Sequence, residues 1–215
     1  MHLYLVKTPN YIKSFFKDLV WSFTISEKKL YLTFDDGPSP EITLYILEQL
    51  KKYNAKATFF CVGENIIKYP NTYQQIIDNG HAVGNHTHNH LNGWKTPTSK
   101  YLKNIKESDK YMNENSSFKI QNTKLFRPPY GKIKFSQIKE LKNNGFKIIM
   151  WDVLSGDFDK NISNEKVLNN ILKSTVNGSI IVMHDHQKSI TKLQYCLPKI
   201  LNHYINLGYC FEKIT

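Results

Sequence analysis

Thr33-Phe34-Asp35-Asp36-Gly37-Pro38 is the stretch from which the rest of the chain can be read. It ends an apolar run over residues 29–34, whose composition suits a strand, and then turns at Gly-Pro. Two carboxylates therefore stand at the carboxyl end of one strand. Further strand-like runs occupy residues 57–62, 81–85, 125–127, 147–153, 179–184 and 209–214. Helix-period stretches alternate with them at 41–53, 71–79, 99–113, 134–143, 163–177 and 190–206; the spacing is clearest in Ile42, Tyr45, Ile46, Gln49 and Leu50. Gly80, Gly145, Gly178 and Gly208 follow helices, as left-handed helix ends do. Such alternation predicts a parallel sheet covered by helices. About seven strands suit either a barrel or an open doubly wound sheet. An open sheet gathers its site at one switch point. Here Asp35, Asp36, His86, Arg127, Asp157 and His184 fall at the ends of different strands, which favours an α/β barrel.

Each polar cluster has a chemical reading and a plain one. Neighbouring Asp35 and Asp36 can divide the work, one holding a cation and the other taking a proton, or they can simply cap a helix. His86-Thr87-His88-Asn89-His90 places three histidines in five residues. His86 and His90, four apart, can meet on one face of a helical turn while His88 points elsewhere. Two imidazoles with a carboxylate suit Zn²⁺ or another divalent first-row metal and leave positions open for hydrolysis; the plain reading is a polar loop. Arg127-Pro128-Pro129-Tyr130-Gly131 presents a guanidinium on a rigid extended turn, for catalysis or for a strand-end salt bridge. His184 ends the apolar strand of residues 180–183 and could protonate a leaving group.

Taken together, TFDDGP, HTxxH, RPPYG and an apolar strand ending in His184-Asp185 resemble the polysaccharide deacetylases, carbohydrate esterase family four, from about Leu30 to the carboxyl terminus. The resemblance implies a single-domain distorted (β/α) barrel of parallel strands. It also implies a Zn²⁺ site at Asp36, His86 and His90, with Asp35 as general base and His184 as general acid. Arg127 would orient Asp35, Asp157 would hold Arg127, and the Tyr130 N–H would help stabilise the oxyanion. Val182 would line the acetyl pocket, beside Pro129, Trp151 and Phe158. Two positions depart from the family pattern: Phe158 replaces a tryptophan expected beside the acid histidine, and Leu154 stands where an acidic or amide residue is common. The implied activity is hydrolysis of N-acetyl groups on amino-sugar oligo- or polysaccharides, of the chito-oligosaccharide or peptidoglycan type. An O-acetyl esterase or a silent sugar-binding module are the alternatives.

The bulk numbers fit one domain. At 215 residues and 40% hydrophobic content the chain can bury a sizeable core. We divide it into an N-terminal helical extension, residues 1–28, and a catalytic domain, residues 29–215. Residues 11–23 read as an amphipathic helix packed on the barrel, and a basic aromatic helix also suits a membrane surface. Net charge is +11, but the lysines are dispersed, so no nucleic-acid partner is expected. No segment has the length and apolarity of a membrane span or a signal peptide, which makes the cytoplasm the default compartment. Cys61, Cys196 and Cys210 form no disulfide framework, although one bridge between the last two is conceivable. No oligomeric state is assigned.

Overall fold

The computed structural model describes residues 4–115 and 124–215. Its centre is a curled parallel sheet of β1 (Lys29–Asp35), β2 (Ala57–Cys61), β3 (Ala82–Asn85), β4 (Lys124–Phe126), β5 (Phe146–Ile148), β6 (Val153–Leu154) and β7 (Ile180–His184). They run in the order β5-β4-β3-β2-β1-β7-β6, and β8 (Cys210–Phe211) pairs with the start of β1. Helices α2 (Pro40–Lys52), α3 (Gly63–Lys68), α4 (Pro70–Asp78), α5 (Thr98–Glu114), α6 (Phe135–Asn143), α7 (Asn164–Ser174) and α8 (Ile190–Asn206) lie between strands. This is the distorted (β/α) barrel that the strand–helix rhythm and the family resemblance imply. Gly80 and Gly145 end helices with φ of 77° and 80°, the left-handed region where a Cβ is penalised.

Strand periodicity sorts the core into two layers. Leu32 and Phe34 face outward and pack with Ile42, Ile46, Leu197 and Ile200 of α2 and α8. Phe60, Leu125, Ile149, Ile180 and Ile214 form a smaller cluster apart from that layer. Thr33 and Asp35 share a face with their register partners Val182 and His184, so β1 and β7 carry polar groups side by side at their carboxyl ends.

The single strand expected over residues 147–153 is two short strands, β5 and β6, at opposite edges of the sheet. Residues 149–152 bend between them and so join the two edges through the chain itself. A bend leaves backbone groups without ladder partners, and buried ones must be satisfied. The Ile149 N–H donates to Phe126 O (2.8 Å) and the Asp152 N–H to Ile180 O (3.0 Å). Val20 donates to Ile148 O (2.9 Å) and accepts from Met150 N (2.7 Å), and Thr8 bonds the carbonyls of Trp151 (2.8 Å) and Asp152 (2.9 Å).

That role corrects the reading of the N-terminus. The helix expected over residues 11–23 is only α1 (Asn10–Phe15). Beyond it Leu19 is buried, and Val20 and Ser22 bridge to the sheet at Ile149 and Ser179. Pairing with an otherwise unsatisfied bend gains more than further helical turns. Lys7 and Lys13 fasten the same segment to the buried Asp152 at 2.6 and 2.5 Å. All three cysteines are free, so the bridge between Cys196 and Cys210 does not form. No helix among the described residues is long and apolar enough to cross a membrane.

Candidate active site

Consecutive strand residues face opposite sides, yet Asp35 and Asp36 both serve this end of the barrel. The backbone explains how. Asp35 shares the face of Thr33, whereas Asp36 has φ of 84° and swings its carboxylate toward the loop after β3. Thr87 (64°), His90 (53°) and Tyr130 (61°) are left-handed as well. Four of the five non-glycine residues with positive φ among the described residues thus lie here, and such strain persists only where the surroundings impose it.

The surroundings are specific. His86 and His90 sit on a loop rather than on the expected helical turn, because side chains take over the backbone bonds. Asn85 Oδ1 accepts the Thr87 N–H (2.7 Å) and Thr87 Oγ1 the Leu91 N–H (3.0 Å). The first turn of α3 binds the loop from the other side, Gly63 N–H to Thr87 O (3.0 Å) and Glu64 N–H to His88 O (3.1 Å). His88 points away, stacked on Tyr111 and 3.7 Å from Glu107.

His86, His90 and Asp36 converge. Their nearest ligand atoms lie within 4.8 Å of one another. His86 Nδ1 stands 2.8 Å from the Arg127 carbonyl, which can only accept, so this nitrogen carries the proton and Nε2 offers a lone pair. That Nε2 is 3.5 Å from Asp36 Oδ1, and His90 Nε2 is 3.0 Å from the same oxygen. Asp36 Oδ1 is buried and has no well-formed hydrogen bond. A carboxylate oxygen without a well-formed hydrogen bond beside the free His86 nitrogen suits a cation, and an Asp/His/His donor set fits a divalent first-row metal. Tyr130 Oη, 3.0 Å from His90 Nδ1, steadies the second imidazole.

Two ion pairs flank this triad. Arg127 is fully buried and its guanidinium donates to Asp35 Oδ1 (2.7 Å), Thr33 Oγ1 (2.7 Å), Ile149 O (3.2 Å) and Met150 O (2.8 Å). It therefore orients Asp35 and also satisfies carbonyls at the bend after β5. The expected hold of Asp157 on Arg127 is not made. Asp157 is committed to His184 instead: Oδ1 lies 2.7 Å from Nδ1 and Oδ2 accepts the backbone N–H at 2.8 Å. Ser155 Oγ adds a third bond at 2.9 Å. The guanidinium's neighbours leave Asp157 no place there. Burial disfavours the imidazolium of His184, but Asp157 outweighs it, with help from Asp36 and Asp35, and the pKa rises to about 10.

The remaining expected residues surround these pairs. Phe158 meets the His184 ring edge-on at 5.2 Å and is itself covered by Tyr4. Val182 is buried two residues before His184 and pairs with Leu154 of β6. Pro129 is buried and opens the turn through Gly131, against which the Trp151 ring lies. Within that turn the N–H groups of Gly131 and Lys132 bond Pro128 O and Pro129 O, while among the described residues none accepts from the Tyr130 N–H.

Sequence reasoning missed three contributors. Asn65 of α3 donates to the Asp36 carbonyl at 2.7 Å. His186 Nε2 lies 3.5 Å from Asp36 Oδ2. Asp185 accepts from the Gly37 N–H (2.8 Å) and Thr43 Oγ1 (2.7 Å), tying the turn after β1 to α2. Asp185 adjoins His184 and so was visible as a motif; its partners, more than 140 residues away, were not. A Cβ on Gly37 would come 1.9 Å from Asp185 Oδ2. Gly37→Ala is therefore expected to cost about 1–3 kcal/mol through overpacking and to displace Asp36. Thermal unfolding and metal stoichiometry on one sample check this; a variant unchanged in both contradicts it.

A (β/α) barrel with a candidate metal triad flanked by two buried ion pairs fits a hydrolase class. The comparisons agree with it. The family model described as polysaccharide deacetylase matches residues 24–149. A peptidoglycan-N-acetylglucosamine deacetylase of Bacillus cereus is 36% identical over 180 residues, covering 81% of this chain and 64% of that protein. A second deacetylase of the same description and organism is 31% identical over 198 residues, covering 92% of this chain and 91% of its own. The crystal structure of a peptidoglycan N-acetylglucosamine deacetylase superposes with a TM-score of 0.87 at 33% identity, covering 96% of this chain and 95% of that one. The chain belongs to the polysaccharide deacetylase family.

Proposed function

We propose that this chain is a metal-dependent N-deacetylase that removes acetyl groups from amino-sugar glycans of the peptidoglycan or chito-oligosaccharide type and releases acetate. The observation that carries this is the orphaned Asp36 Oδ1 facing His86 and His90, with Asp35 and His184 held beside it by separate ion pairs. The relatives described as peptidoglycan-N-acetylglucosamine deacetylases support the substrate class.

Asp36, His86 and His90 would hold the metal, and Zn²⁺ suits the donors. When bound, the metal supplies an acidified water and polarises the acetyl carbonyl. Asp35 takes the proton of the attacking water, and Arg127 fixes which way its carboxylate faces. The Tyr130 N–H donates to the oxyanion as the carbonyl becomes tetrahedral, the kind of contact typically worth about 2.7–4 kcal/mol of barrier. His184, kept cationic by Asp157, gives its proton to the departing sugar nitrogen, leaving acetate and a free amine.

Acetate release from N-acetylated chito-oligosaccharides, peptidoglycan fragments and acetylated xylan tests the reading. Release from the amino sugars and none from xylan is expected. The reverse preference would make the chain an O-acetyl esterase. His86→Ala is expected to lose both the metal and turnover, measured by metal analysis beside the acetate assay.

A further inference from the structure

Deacetylation accounts for His184 and Asp157 but not for what braces the turn that holds them. Ser155-Gly156-Asp157-Phe158 follows β6, an edge strand of the sheet, and supplies two neighbours of the His184 ring. The N-terminal segment lies along the open side of β6. Lys7 bridges Val153 in the antiparallel sense, the Leu154 N–H donates to Val6 O (2.8 Å) and the Thr8 N–H to Asp152 O (2.9 Å). That register carries the segment toward the carboxyl end of the barrel and sets Tyr4 opposite Gly156.

Tyr4 is packed onto the turn. Gly156 has φ of 81°, and a Cβ there would stand 2.7 Å from Tyr4 Oη and 3.2 Å from its Cε2, so the turn is bare where the tyrosine ring lies. The Tyr4 ring centre is 5.2 Å from that of Phe158, and Phe158 meets His184 edge-on at the same distance. Leu5 beside it is 54% exposed, so the segment turns its tyrosine inward in preference to its leucine. Asp157 bonds His184 at Nδ1 (2.7 Å), and a bond at one ring atom leaves the tilt of the imidazole to what packs beside it. Phe158 is nearer than His186, whose ring centre lies 5.7 Å away.

We propose that Tyr4 is a positioning residue: through Gly156 and Phe158 it fixes the tilt of the His184 ring, and with it the direction in which Nε2 delivers a proton. The acid role of His184 rests on the deacetylase reading; the inference adds that a residue of the N-terminal segment completes the setting of the acid. An aromatic ring suits the task, since edge contacts between rings have a preferred geometry that an aliphatic side chain lacks. Tyr4 acts on kcat, because it steadies the group that moves a proton and not the sugar.

Steady-state kinetics of acetate release by the full chain loaded with Zn²⁺ test this, beside the proton NMR signal of His184 Nδ1, identified by its absence in His184→Gln. Tyr4→Ala is expected to lower kcat about tenfold, within what a misplaced catalytic group costs, with KM and metal stoichiometry unchanged. Tyr4→Phe, which keeps the ring, is expected to recover most of that. In a Phe158→Leu background Tyr4→Ala is expected to cost about twofold at most, because the route through Phe158 is already broken. The Nδ1 signal is expected to be sharp in the wild type and in Tyr4→Phe and broadened in Tyr4→Ala. Wild-type kcat or an unbroadened signal in Tyr4→Ala, a rise in KM in place of the fall in kcat, or the full loss in the Phe158→Leu background would overturn the proposal. If the signal behaves as expected while no glycan releases acetate even from the wild type, the deacetylase reading fails and the positioning of His184 by Tyr4 stands.

Discussion

Asp35→Asn is expected to lower acetate release by roughly 10²–10⁴-fold, the contribution of a positioned general base, while the protein still binds one metal. The substitution keeps the shape of the side chain and removes the charge that accepts a proton. Asp35 is not among the three groups that converge at the candidate metal site, so Asp36, His86 and His90 keep their donors. A second consequence comes from the partner. Arg127 is fully buried, and Asn leaves its guanidinium without a counter-charge. Breaking a buried pair in this way costs about 3–5 kcal/mol, so the unfolding temperature should fall along with the activity. Retention of most of the activity would remove Asp35 from the role of base.

Asp157→Asn should act on pH rather than on metal. In the proposed mechanism His184 gives its proton as an imidazolium, and Asp157 is what overcomes burial to lift its pKa to about 10. Without that carboxylate burial is opposed only by the more distant Asp36 and Asp35, and the pKa falls. An acid must be protonated to act, so activity is lost as pH rises through this pKa. The alkaline limb of the pH–rate profile is therefore expected to move to lower pH in the variant, with the largest loss on the alkaline side. Stability follows the same sign. The pKa of His184 is raised on folding, so its pairing stabilises the fold fully below the unfolded value of about 6.5. That contribution is lost as pH rises through about 10, and the variant should lack it. An alkaline limb that does not move would mean that Asp157 does not tune His184.

Local signals were enough for much of this. The turn at Gly37-Pro38, the apolar runs and the helix spacing placed β1 to β4 and most helices within a residue or two. Converging strand ends favoured a barrel, and His86 and His90 stood out because three histidines in five residues serve no packing need. What escaped depends on partners distant in sequence. The bend between β5 and β6 depends on Val20, Thr8 and Arg127 for its backbone bonds, and none is recognisable as a partner before the sheet curls. Asp157 was assigned to Arg127, yet a buried acid takes whichever cation the fold brings to it, and that was His184. Helix α3, six residues long, is too short for periodicity to show, although its N–H groups and Asn65 brace the site. Left-handed backbone at Asp36, Thr87 and His90 has no signature in residue type, because the surrounding hydrogen bonds impose it.

The most direct test of the account is acetate release from N-acetylated amino-sugar oligomers by protein stripped with a chelator, before and after titration with Zn²⁺. No release from the stripped protein and full recovery at one metal per chain are expected, with His86→Ala failing to recover. Undiminished release from the stripped protein, or one bound metal that restores nothing, would contradict it.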